Sequence, residues 1–204
     1  ADTQAAPGGQ PYPFFLAHAL QGGPEALGPS QDWLVEWKYD GIRAQVLKRA
    51  GQVWVWSRGE ELLTERFPEV VKLAAGWPEG TVVDGELLVW PAGSDRPAPF
   101  QLLQQRITRK TLPKKLLSEA PVQLLAYDLL EEDGLDLRGQ PQHHRRVRLE
   151  AFAAAHALRL SPAVHADVLV LAGDLNRPAG AIAWARQFEL PTLFVAGNHE
   201  FYGG

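Results

Sequence analysis

Cysteine and methionine are both absent from the 204 residues. Without cysteine the chain has no disulfide framework and no thiolate metal site, which fits a reducing, cytoplasmic compartment. Without methionine, an initiator included, it reads as a processed product, an engineered chain or an excerpt of a longer protein. No apolar run approaches the roughly 20 residues that span a bilayer, so no membrane partner is expected. The opening stretch ADTQAAPGGQPYP lacks the basic and apolar parts of a signal peptide. An excess of positive charge is missing too. The net charge is -4, so any contact with nucleic acid must be local rather than a general coat of cations.

What is present is apolar material and punctuation. Hydrophobic residues make up 46% of the chain, enough for a buried core in one large domain or two small ones. Sixteen prolines and nineteen glycines imply many turns. Residues 1–10 read as a flexible linker without periodicity. WLVEWK (33–38), IRAQVLKR (42–49) and QVWVWS (52–57) are rich in β-branched and aromatic residues and read as strands, separated by turns at Asp40-Gly41 and Ala50-Gly51. Further strands are expected at 81–90 and 122–130, and helices at 67–77, 100–107, 113–120 and 141–158, the last with Pro141 near its first turn. Near residue 165 the character changes. DVLVLAG (167–173) and PTLFVAG (191–197) are continuous apolar runs flanking a helical stretch at 178–189. That is the pattern of a βαβ unit with parallel strands.

The stretch EWKYDGIR (36–43) carries chemistry. A lysine on a half-buried strand faces a desolvation cost that lowers its pKa from about 10.4. The neutral amine that results is a nucleophile toward an electrophile such as a phosphoryl group. Arg43, two places beyond the Asp40-Gly41 turn, is a fixed cation able to bond ribose or phosphate oxygens. The bland alternative is a lysine that snorkels at a sheet edge.

EWKYDGIR also resembles the nucleotidyl-transfer motif of ATP-dependent DNA ligases: lysine, any residue, Asp, Gly, any residue, Arg. SRGEELLTERFPEV (57–70), VVDGELLVW (82–90) and AYDLLEEDGLDLRGQPQHHRRVRLE (126–150) resemble later motifs of that family, in its order. PYPFFLAHAL and QQRITRKTLPKKLL are similar to bacterial members, so the resemblance covers roughly residues 11–164. It implies an α+β ligase-type nucleotidyltransferase domain, with mixed antiparallel sheets and flanking helices, incomplete, and a C-terminal βαβ segment appended. It implies ATP and Mg2+, with Mn2+ possible in its place, and nicked double-stranded DNA as partner in repair, replication and recombination. Lys38 would take AMP. Glu36 would contact adenine, Arg43 and Arg58 would hold ribose and phosphate, Glu86 would contact ribose or place the metal, and Tyr127 would stack on adenine. Asp128 is paired with Tyr127 in its motif. The basic cluster Arg106, Arg109, Lys110, Lys114 and Lys115 is a candidate for DNA phosphates, with a solvated loop as the alternative. His143 and His144 are adjacent on a helix, so their rings are expected to diverge at the surface rather than ligate a metal. The Glu-Gly strand motif, the later pair of lysines and the closing domain of the family do not follow, so weak or absent full ligation is expected.

Residues 166–204 resemble instead a fragment of the calcineurin-like metallophosphoesterases. AGD after a buried strand sets Asp174 at a strand end, and GNHE sets Asn198 and His199 likewise. The resemblance implies metal ligation by Asp174 and Asn198 and a phosphate contact by His199. The family's opening Asp-x-His and its later histidines are missing, and two metals are not held by Asp174 and Asn198 alone. The expected division is therefore a linker at 1–10, a partial ligase-like adenylation domain at 11–164 and a phosphoesterase-like segment at 165–204. Natural fusion, frameshift, assembly error and recombination all remain open as its origin, and no motif fixes an oligomeric state.

Overall fold

A computed structural model describes residues 8–15, 29, 34–109, 111–164, 169–172 and 192–195. They divide between two units, Ala1–His18 with Tyr39–Ser161, and Ala19–Lys38 with Pro162–Gly204. In chain order the strands are β1 (Val35–Glu36), β2 (Ile42–Arg49), β3 (Gln52–Ser57), β4 (Thr81–Val89), β5 (Val122–Glu132), β6 (Leu135–Asp136), β7 (Arg159–Leu160), β8 (Ala163–Val164), β9 (Leu169–Ala172) and β10 (Thr192–Val195). The helices are α1 (Pro68–Ala74), α2 (Phe100–Ile107), α3 (Lys114–Glu119) and α4 (Gln142–His156). None of the described helices is long and apolar enough to cross a membrane.

The first unit is built on a six-stranded sheet of order β3-β2-β4-β5-β6, antiparallel throughout, with β7 added parallel to β5. The β2–β3 hairpin closes where the sequence places its turn. Ala50 and Gly51 both have positive φ, 49° and 72°, the geometry a two-residue hairpin turn needs to match strand twist. Central β4 is buried along its whole length. Its alternation puts Val83, Leu87 and Val89 in one cluster with Leu124, Ala126 and Leu129 of β5, Val70 and Ala74 of α1, Leu103 of α2, and Leu149 and Phe152 of α4. Burying each such large apolar side chain contributes about 1.5–3 kcal/mol, so this helix-covered face is the core. The opposite face of β4 carries Asp84, Glu86 and Leu88, and it is there that the polar residues gather.

Residues 8–10 correct the expectation of a free linker. Trp56 Nε1 donates to the Gly9 carbonyl at 2.7 Å, and Arg49 Nη1 donates to the carbonyls of Gly8 and Gln10 at 2.9 and 3.1 Å. Gly9 is buried so closely on the Trp54 ring that a Cβ there would lie 2.6 Å from it. A side-chain-free residue can seat on a flat indole, and the arginine satisfies the carbonyls on either side.

In the second unit β1 pairs antiparallel with β8, Val35 with Val164 and Glu36 with Ala163. The strand expected over 33–38 is therefore a two-residue ladder, because its partner is only two residues long. Strands β9 and β10 pair in parallel, Leu169–Ala172 against Thr192–Val195, as the two apolar runs imply. The helix expected at 178–189 lies outside the described residues.

Candidate active site

Two Asp-Gly steps shape the polar face of the sheet. A Cβ at Gly41 would lie 2.5 Å from the Leu87 carbonyl oxygen and 2.7 Å from Glu86 Cγ, so the chain can cross β4 here only without a side chain. A Cβ at Gly85 would lie 2.4 Å from the Leu125 carbonyl oxygen, where the β4–β5 register shifts between Asp84 and Gly85. The first close approach lets Tyr39 pack against Leu88, Trp90 and Leu125, in the same cluster as Tyr127.

The β2–β4 register sets Arg43 opposite Glu86 and Gln45 opposite Asp84. Arg43 is held by Asp84 through a two-point contact, Nε to Oδ1 at 3.1 Å and Nη2 to Oδ2 at 2.8 Å. Its Nη1 donates to the Phe15 carbonyl at 2.8 Å. The Asp84 carboxylate raises the Arg43 pKa. Burial pushes the carboxyl of Asp84 up, with Arg43 opposing that rise. Burial likewise pushes Glu86 up to about 7, opposed by the Tyr127 hydroxyl and by Arg43. Tyr127 donates to Glu86 Oε2 at 3.3 Å. Arg43, Glu86 and Tyr127 are thus brought together on one sheet face, and Asp84 is the member of the group that the sequence pattern did not assign. It was visible as the Asp of VVDGELLVW. Both acidic residues alternate to one face, and the guanidinium passes its cross-strand partner Glu86 to reach diagonally to Asp84.

Arg58 is exposed, with its backbone N–H donating to the Arg43 carbonyl at 3.0 Å. Ser57 and Glu60 close the turn beneath it, Glu60 N–H donating to the Ser57 carbonyl at 2.9 Å. Glu36 and Lys38 belong to the second unit. Glu36 is half-buried in β1. Lys38 lies beyond the end of that strand and is exposed, not half-buried in it as the sequence suggested. Asp128 turns to the helix side, where Arg145 of α4 grips it with Nε to Oδ1 at 2.9 Å and Nη2 to Oδ2 at 2.8 Å.

Arg106 is corrected outright. Its side chain is fully buried, donating to both carboxylate oxygens of Glu69 at 2.5 Å, to the Ala120 carbonyl at 2.8 Å and to the Arg66 carbonyl at 3.0 Å. It is therefore not a DNA contact. The signal was present: Leu103 and Arg106 are three apart on α2 and share its buried side. Arg109, Lys114 and Lys115 are exposed. Lys110, Asp174, Asn198 and His199 lie outside the described residues. His143 and His144 are exposed as expected, but their rings meet edge to face at 4.2 Å between centroids rather than diverging. No group of three or more His, Asp or Glu among the described residues could hold a metal ion unaided.

The family model for the ATP dependent DNA ligase domain matches residues 14–168. A probable DNA ligase of Opitutus terrae is 41% identical over 143 residues, covering 70% of this chain and 14% of that protein. A DNA ligase of Nanoarchaeum equitans is 32% identical over 158 residues, covering 75% and 28%. The crystal structure of the ligase domain of LigD from M. tuberculosis aligns with TM-score 0.50 at 29% identity, over 64% of this chain and 39% of that one. The chain spans well under half the length of these relatives.

Proposed function

The chain belongs to the ATP-dependent DNA ligase domain family, and on that premise we propose that it carries a self-adenylating site for nick sealing. In this reading Lys38 Nζ attacks the α-phosphorus of ATP. An N–P bond forms, the bond to the β-phosphate oxygen breaks, pyrophosphate leaves and the amine sheds a proton. Arg43 and Arg58 neutralise phosphate or bond ribose, Tyr127 stacks on adenine and Glu36 contacts it. The AMP then passes to the 5′-phosphate of a nick in double-stranded DNA, and the 3′-hydroxyl displaces it. Arg109, Lys110, Lys114 and Lys115 are assigned to backbone phosphates.

The donor set fits a magnesium ion that arrives with the nucleotide. Such an ion is held by one or two carboxylates plus substrate phosphates, and Glu86 is one carboxylate at this face. Bound there, Mg2+ or Mn2+ would neutralise charge on the phosphates. The domain reading accompanies this: residues 11–164 as the adenylating part and 165–204 as a separate segment.

The observation that carries the reading is the grouping of Arg43, Glu86 and Tyr127 on the sheet face opposite the helices. Glu86 and Tyr127 are within hydrogen-bond reach. Arg43 has five N–H donors and gives three to Asp84 and Phe15. The other two take no acceptor among the described residues and are assigned to a ligand. Incubation with α-labelled ATP followed by denaturing electrophoresis tests it. The expected result is a label that is acid-labile, alkali-stable and abolished in Lys38→Ala. No label with either magnesium or manganese sinks the reading.

A further inference from the structure

We propose that Asp84 is a positioning residue which, together with the Phe15 carbonyl, clamps Arg43 in one orientation toward the nucleotide. The proposal rests on the nucleotide reading above and extends it from the residues that touch ATP to the one that aims them.

A guanidinium on a flexible stem samples many orientations unless its fork is matched. Here all three nitrogens are engaged. Nε and Nη2 meet the two Asp84 oxygens at 3.1 and 2.8 Å, the parallel two-bond geometry that fixes a plane as well as a distance. Nη1 meets the Phe15 carbonyl at 2.8 Å. The Asp84 side chain is 4% exposed against 26% for Arg43. Burying a carboxylate costs more than a surface pair returns, and fixing geometry is its best-attested use. The Phe15 carbonyl is itself delivered by a pinned segment. The Tyr12 N–H donates to Gln45 Oε1 at 2.8 Å, and Gln45 Nε2 donates to the Tyr12 carbonyl at 3.0 Å. Gln45 is fully buried and stands opposite Asp84 in the β2–β4 register. Three segments of chain therefore converge on one guanidinium. Two N–H groups, one on Nη1 and one on Nη2, take no acceptor among the described residues. Glu86 and Tyr127 lie close enough to act electrostatically on Arg43, so the clamped group is oriented within the proposed site.

Two measurements test the clamp. The first is single-turnover adenylation at limiting and saturating ATP for wild type, Asp84→Asn, Arg43→Ala and the double variant, each checked for an unchanged thermal midpoint. Asp84→Asn is expected to slow the saturated rate at least about tenfold, with the double variant no slower than Arg43→Ala alone. A merely structural aspartate would lower stability without that rate loss and that non-additivity. Wild-type labelling by Asp84→Asn, or losses that multiply, overturns the proposal. The second measurement needs no folded Asp84 variant. The Nε–H resonance of Arg43, identified by its loss in Arg43→Lys, is expected to exchange far more slowly than that of exposed Arg58. Equal, fast exchange overturns the clamp. A protected Nε–H with no Lys38-dependent label overturns the nucleotide reading alone and leaves the clamp standing.

Discussion

Glu86 stands on a strand buried along its whole length, and its burial decides its chemistry. Desolvation disfavours the charged form and carries the carboxyl up to about 7, while the Tyr127 hydroxyl and Arg43 pull it down and Asp84 adds to the rise. The sign of the linkage follows. A carboxyl whose folded pKa lies above its unfolded value contributes stability that is complete below the unfolded value and is lost as pH rises through the folded one. Glu86→Gln, which removes the titration at little change in shape, is therefore expected to match wild type in thermal midpoint at about pH 5 and to exceed it at about pH 8. A wild-type curve parallel to the variant's over that range would assign the titration elsewhere. Arg43, Glu86 and Tyr127 were legible as single residues because motif order names them. Asp84 was not, since two carboxylates two apart on a strand look alike in sequence, and the arginine bonds the diagonal Asp84 rather than Glu86 directly opposite it. The exposure of Lys38 was hidden for a related reason: its strand stops when the short partner strand stops, and that partner lies 129 residues further along the chain, Val164 opposite Val35.

At the scale of elements, most helices and strands begin and end close to where periodicity and turn residues put them. Helix α2 matches its expected bounds, and α1, α3 and α4 shorten by a residue or more at their ends, where fraying and caps outweigh pattern. The misreading was of the α2–α3 region as one basic surface. Arg106 instead ties α2 to the start of α1 and to Ala120 at the end of α3, with Glu69 also accepting from the Val122 N–H at 2.9 Å. Removing one partner of such a buried pair costs about 3–5 kcal/mol. Arg106→Leu is expected near the lower end, because the Glu69 side chain is 29% exposed and recovers some hydration. Denaturant unfolding measures this. Lys114→Ala and Lys115→Ala should stay within about 0.5 kcal/mol of wild type. On the DNA-contact proposal, each should flatten the salt dependence of nicked-DNA binding by about one unit of slope. The reverse pattern, stability lost at the lysines and kept at Arg106, would contradict the assignment of both.

For the whole molecule, the sequence changes character near residue 165, whereas the second unit joins Pro162–Gly204 with Ala19–Lys38, a segment the motif pattern groups with residues 39–164. The parallel pairing of β9 and β10 was legible from unbroken apolar runs. The β1–β8 ladder was not, because two-residue strands carry no periodicity. Binding and chemistry can be separated at this scale. A ligand that binds only the folded chain stabilises it by an amount set by its concentration relative to its Kd, about 2.7 kcal/mol at a hundredfold excess. An α,β-methylene analogue of ATP cannot transfer its adenylyl group, so any stabilisation it gives reports binding alone. On the proposed assignments Tyr127→Ala removes the stacking platform for adenine, worth about 1–3 kcal/mol for a base on an aromatic ring. The thermal shift from the analogue should largely disappear in that variant. Lys38→Ala removes a nucleophile rather than a platform, so its shift should persist while labelling by α-labelled ATP is lost. If Lys38→Ala loses both together, the lysine acts in binding. If Tyr127→Ala keeps the full shift, adenine sits elsewhere and the sheet face opposite the helices is not where the nucleotide enters.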